Sequence, residues 1–89
     1  MNIAIVTGAS SGMGKEFVKQ LDILARHIDE IWVIARRTGK LFELEKDIHK
    51  KIIVCPADLT KEDDLQSIKK LLKKECPRIS VLVNAAGFG

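Results

Sequence analysis

The stretch Thr7-Gly8-Ala9-Ser10-Ser11-Gly12-Met13-Gly14 sits between an apolar run at 3–6 and a segment carrying Phe17, Leu21, Leu24, Ala25 and Ile28 at spacings of three and four. The run reads as a strand and the segment as an amphipathic helix. Glycines placed between them have separate uses. Gly8 permits a tight exit from the strand. Gly12 has no Cβ, so a pyrophosphate can approach the backbone. Gly14 lets the helix pack close to a sheet. The helix start offers unpaired N–H groups, those near Met13 among them, and roughly half a positive charge. Ser10 and Ser11 add hydroxyl donors. The loop is expected to hold the phosphates of a dinucleotide; the alternative is a glycine-rich turn without a ligand. A kinase-type phosphate loop is excluded, because Gly14-Lys15-Glu16 lacks the Ser or Thr that would hold magnesium.

Working outward, the same alternation repeats. Apolar runs recur at 31–35, 52–55 and 79–83, short and rich in Ile and Val, as strands buried on both faces read. Between them lie helical patterns with Leu41, Leu44 and Ile48, then Leu65, Ile68, Leu71 and Leu72. Thr38 and Thr60 are expected N-caps, and Thr60-Lys61-Glu62-Asp63 has the spacing of a capping box with Asp in place of Glu. Pro77 is expected to stop the third helix. The expected fold class is α/β: a Rossmann-like three-layer sandwich, βαβαβαβ, in which right-handed crossovers build a parallel sheet with helices on its faces. Residues 1–89 read as one dinucleotide-binding half-domain, with no second domain.

The composition fits a globular chain, with 46% apolar and 30% charged residues. The net charge of +3 is spread along the chain, and Lys69, Lys70, Lys73 and Lys74 read as the solvated face of a helix. With no Tyr and one Trp, nucleic-acid binding lacks its stacking residues. No apolar run approaches the roughly 18 residues a membrane span requires. The N-terminus has no basic leader, so a cytoplasmic location is expected. Cys55 and Cys76 have no metal spacing and are expected to be reduced, buried thiols. His27 and His49 read as structural or surface residues.

The loop has the spacing Gly-x-x-x-Gly-x-Gly, preceded by Thr7, and resembles the TGxxxGxG cofactor loop of the short-chain dehydrogenase/reductase family in all four fixed positions. Three further segments resemble that family in the right order: Ala35-Arg36-Arg37, Ala57-Asp58-Leu59 and Asn84-Ala85-Ala86-Gly87. The resemblance implies that Asp58 accepts a hydrogen bond from the adenine amino group, with Leu59 beside the base. It implies that Asn84 ties the sheet to the neighbouring loop. It also implies that Ala85, Ala86 and Gly87 let the ribose sit close to the backbone. The family's sheet would then run 3-2-1-4.

An NAD site places an acidic residue at the end of the second strand, on the ribose 2′-hydroxyl. Arg36 stands there, with Arg37 next to it. A guanidinium attracts and can fork onto a 2′-phosphate that a carboxylate would repel. NADP is therefore expected over NAD, with Arg36 the main contact and Ser11 or Arg37 assisting. The family's acid/base Tyr, its Lys four residues on and its Ser lie beyond the fourth strand, and this sequence has no Tyr. The expected function is the NADP(H)-binding N-terminal portion of a short-chain oxidoreductase, catalytically incomplete by itself and truncated after strand 4. The alternative is a non-catalytic nucleotide-binding or oligomerising module. The fourth strand, with Val81, Leu82 and Val83, is expected to be an apolar edge prone to self-association.

Overall fold

The computed structural model describes residues 1–8, 12–37 and 39–84, without the side chains of 12, 13 and 40. The elements run β1 (Asn2–Thr7), α1 (Gly12–Leu24), β2 (Glu30–Ala35), α2 (Gly39–Glu45), β3 (Lys51–Pro56), α3 (Glu62–Glu75) and β4 (Arg78–Asn84). Each strand extends the apolar run expected for it by about one residue at either end. The four strands are parallel and ordered β3-β2-β1-β4. β1 and β2, the two inner strands, are buried from Ile3 to Thr7 and from Ile31 to Ala35.

Strand alternation divides the core in two. Ala4, Val6, Ile31, Val33, Ala35 and Ile52 face Val18 and Ala25, Leu41 and Leu44, so α1 and α2 cover one face. Ile3, Ile5, Trp32, Ile34 and Cys55 face the other, where Ile68, Leu71 and Leu72 of α3 pack. The connection β3–α3–β4 must cross back over the sheet to reach the far side of β1. A right-handed crossover in that reversed direction puts its helix on the opposite face. The only Trp is anchored there: the Trp32 indole Nε1 donates to Glu30 Oε1 at 3.1 Å, and Lys51 Nζ lies 3.7 Å from Glu30 Oε2.

Several expectations need correction. The inward stripe of α1 is Gly14, Val18 and the half-buried Leu21, continued by Ala25 just past its end, while Phe17 and Leu24 face solvent, 40% and 72% exposed. The sheet's twist decides which side of the apolar arc touches it, and the shift is less than one residue step of about 100°. Ile28 lies beyond the helix end but is buried. Thr60 is not the N-cap of α3. That position is Lys61, which makes no side-chain cap bond, and the Thr60 hydroxyl turns back to Asp58 instead. Thr38 lies outside the described residues. α3 ends as expected before Pro77, but through Cys76 in the left-handed region (φ 46°), whose N–H reaches the Leu72 carbonyl at 2.9 Å. Cys76 is thereby exposed, not buried, whereas Cys55 is buried and its thiol is pushed up by desolvation.

β4 is the more exposed of the two edge strands. It pairs with β1 alone, with Ser80 an extra residue opposite the Ile3–Ala4 step. Val81 and Val83 pack against the α1 and α2 cluster, but Ile79 and Leu82 on the α3 face are 47% and 67% exposed. Its apolar run therefore does not mark burial on both faces.

Candidate functional site

The order β3-β2-β1-β4 reverses the direction of chain travel between β1 and β4. In open α/β sheets, ligands bind in the crevice outside the carboxyl ends of the strands at such a point. All four C-terminal strand ends bring site candidates to this edge. Gly8 leaves β1 with φ 70°, a conformation that costs a Cβ-bearing residue strain, and its N–H donates to the Ile34 carbonyl at 3.0 Å. The chain then enters α1, opened by Gly12 and Met13, with the backbone of Gly14 buried. Ser10 and Ser11 lie outside the described residues, as do Ala85, Ala86 and Gly87.

At the end of β4, Asn84 Oδ1 accepts the Thr7 hydroxyl at 2.8 Å. The asparagine thus joins the ends of the two strands that flank the reversal. Among the described residues Thr7 is the one buried polar side chain of the core. It opened the stretch that decided the fold, yet its tie to Asn84 is not visible in the sequence, because the two stand 77 residues apart.

The ends of β2 and β3 and the start of α3 border an open cleft of about 320 Å³ lined by Arg36, Pro56, Ala57, Asp58, Lys61 and Asp64. The Ala57 N–H to Ala35 carbonyl bond, 3.0 Å, extends the ladder to the cleft floor. Asp58 is fixed from both sides. Its Oδ1 accepts the Thr60 hydroxyl at 2.6 Å and the Thr60 N–H at 3.0 Å, and its own N–H donates to Asp64 Oδ2 at 2.8 Å. The Thr60 side-chain and backbone bonds hold the Asp58 carboxyl below the ordinary carboxylate value, with smaller help from the Arg36 and Lys61 charges. Asp58 is thus an ionised acceptor beside two cations. Arg37 and Leu59 are exposed nearby in sequence but do not line the cleft.

The structure therefore brings together Arg36 with Asp58, and Gly8 with Asn84 through Thr7. Lys61 and Asp64 were not singled out from the sequence. Their only signal was their place three and six residues after Asp58, at a helix start. Among the described residues no group of His, Cys, Asp and Glu could hold a metal, and no helix is long and apolar enough to cross a membrane.

The family pattern of short chain dehydrogenase matches residues 2–89. A short-chain type dehydrogenase/reductase of Sinorhizobium fredii, itself uncharacterized, is 33% identical over 87 residues, 98% of this chain but 15% of that protein. A probable NADP-dependent dehydrogenase of Dichelobacter nodosus is 36% identical over 86 residues, 97% of this chain and 78% of that protein. A metagenomic short-chain oxidoreductase in complex with NADP superposes with a TM-score of 0.75 at 27% identity, covering 91% of this chain and 37% of that one. Against most such relatives the chain spans only about a third of the length, as with 34% of a Staphylococcus saprophyticus oxidoreductase and 26% of human dehydrogenase/reductase SDR family member 7. With the sheet order, the glycine exit from β1 and a match over nearly its whole length, the chain belongs to the short-chain dehydrogenase family.

Proposed function

We propose that this chain is the NADP(H)-binding part of a short-chain oxidoreductase. The observation that carries the reading is the cleft in which Arg36 stands beside an ionised Asp58 at the reversal of the sheet. The residues fit a dinucleotide. The left-handed Gly8 turns the chain out of β1 toward the start of α1, where N–H groups and the helix dipole suit phosphate. Asp58 Oδ2 accepts no hydrogen bond among the described residues, leaving an acceptor for an adenine amino group. Arg36 makes no ion pair within 4 Å among the described residues and is available to a 2′-phosphate. Two relatives' names point the same way, one an NADP-dependent dehydrogenase and one a complex with NADP.

When bound, the cofactor supplies hydride transfer. This chain's part is to bind and orient it: Ser10, Ser11, Gly12, Met13 and Gly14 at the phosphates, and Asn84 to Gly87 beside the ribose. With no Tyr, residues 1–89 carry no phenol for proton transfer, so binding without turnover is expected of this chain. A reading frame continuing past Gly89 into Tyr-x-x-x-Lys would supply it. Among the described residues β4 pairs with no strand but β1, and Ile79 and Leu82 are exposed; this supports a second expectation, that two copies associate through β4. A constant scattering mass across a wide concentration range would refute that.

The test is a titration of NADP and NAD at low salt. NADP should bind tighter, and Arg36→Asp should move the NADP:NAD ratio by about tenfold or more toward NAD. Equal affinities, or tighter NAD, would overturn the assignment.

A further inference from the structure

We infer that Lys61 is a second specificity-determining cation, which with Arg36 makes the cleft accept a phosphate on the adenosine ribose; this rests on the NADP reading above. The argument is one of sign. The cleft is lined by four ionisable groups, Arg36 and Lys61 against Asp58 and Asp64. Their formal charges balance. Without Lys61 a single guanidinium would face two carboxylates, and the cleft would carry the wrong sign for a dianionic phosphate.

Nor can the acids be discounted. Asp58 is held ionised by Thr60, and Asp64 is committed to the Asp58 N–H through one oxygen. Both are structural parts of the β3–α3 turn, so the turn that presents an acceptor to adenine also brings negative charge to the phosphate side. Lys61 lies in that same turn, and its N–H donates to the Asp58 carbonyl at 2.9 Å. Its backbone is thus fixed relative to Asp58. Its exposed side chain makes no ion pair within 4 Å among the described residues, so the ammonium remains available to an incoming anion. A Lys, with its compact charge on a flexible stem, suits this role beside an Arg that can bind in a fork.

The experiment compares 2′,5′-ADP with 5′-ADP by calorimetry at two salt concentrations, on the wild-type chain, Lys61→Gln, Lys61→Arg and Arg36→Gln. Circular dichroism checks that each variant keeps its fold. Lys61→Gln is expected to weaken 2′,5′-ADP on the order of fivefold, as loss of one near-contact charge in an exposed cleft predicts. It should leave 5′-ADP unchanged and lessen the salt dependence, and Lys61→Arg should restore both. If Lys61→Gln weakens both nucleotides equally, or neither, Lys61 does not read the 2′-phosphate and the inference falls. If that happens while Arg36→Gln still lowers the 2′,5′-ADP preference, the NADP reading survives it. If the wild-type chain itself shows no such preference, the NADP reading fails and takes the inference with it.

Discussion

Replacing Asp22 by alanine is expected to destabilise the chain by about 2–4 kcal/mol. Asp22 projects from the last turn of α1, and its side chain is 3% exposed. Both its oxygens lie 3.1 Å from the His49 nitrogen, and Oδ1 accepts the Lys50 N–H at 2.9 Å. The His49 ring Nδ1 stands 3.1 Å from Oδ2. One carboxylate therefore clamps α1 to the connection between α2 and β3, 27 residues away. A hydrogen bond to a charged group contributes about 1.5–3 kcal/mol, and an exposed donor recovers much of that from water. The Lys50 bond is half-buried and counts nearly in full; the His49 bonds are exposed and count for a fraction. Asp22→Asn keeps one acceptor but turns an amide donor toward the same N–H groups, so about 1–2 kcal/mol is expected. The assay is urea unfolding followed by the fluorescence of Trp32, the single Trp and fully buried. Burial raises the Asp22 carboxyl, but the His49 and Lys50 N–H groups and the His49 ring together outweigh it and hold it below the ordinary carboxylate value. A depressed native value means that the clamp's ionic contribution is full above the ordinary value and is lost as pH falls through the native one. The Asp22 contribution to the gap between wild type and Asp22→Ala should therefore persist into mild acid and be lost only in acid below about pH 4. An Asp22→Ala midpoint within about 0.5 kcal/mol of wild type at pH 7, at unchanged m, would refute the clamp.

Gly8→Ala places a Cβ on a residue at φ 70°. A loss of about 1–2 kcal/mol in urea stability is expected, together with weaker dinucleotide binding, since the exit from β1 must shift. Of the two thiols, Cys76 should react at once with a chromogenic disulfide. Cys55, buried and with its thiolate disfavoured, should react only as the chain unfolds, so a thiol count of two in the burst would contradict the fold.

The sequence by itself determined the order and kind of the elements and the place of the glycine-rich turn between β1 and α1. Those are local matters. Short Ile- and Val-rich runs at 3–6 and 31–35 read as buried strands, Pro77 cannot continue a helix, and the spacing of Gly8, Gly12 and Gly14 serves a strand-to-helix turn. Arg36 and Asp58 could be named because each directly follows a strand, and all strand ends of a parallel sheet gather at one edge. Tertiary structure decided what depends on partners distant in the chain. Val18 rather than Phe17 enters the core because the sheet's twist selects the side of the helix it touches. Thr60 leaves the cap of α3 because the Asp58 carboxylate offers its hydroxyl a stronger, charged acceptor. Asp22 and Thr7 take their roles only when His49 and Asn84 are folded against them, and Lys61 comes to border the same cleft as Arg36 only once β2 and β3 pair. A hydrogen bond or a shared cleft between residues tens of positions apart has no periodicity, so it leaves no mark on the sequence until the sheet closes the distance.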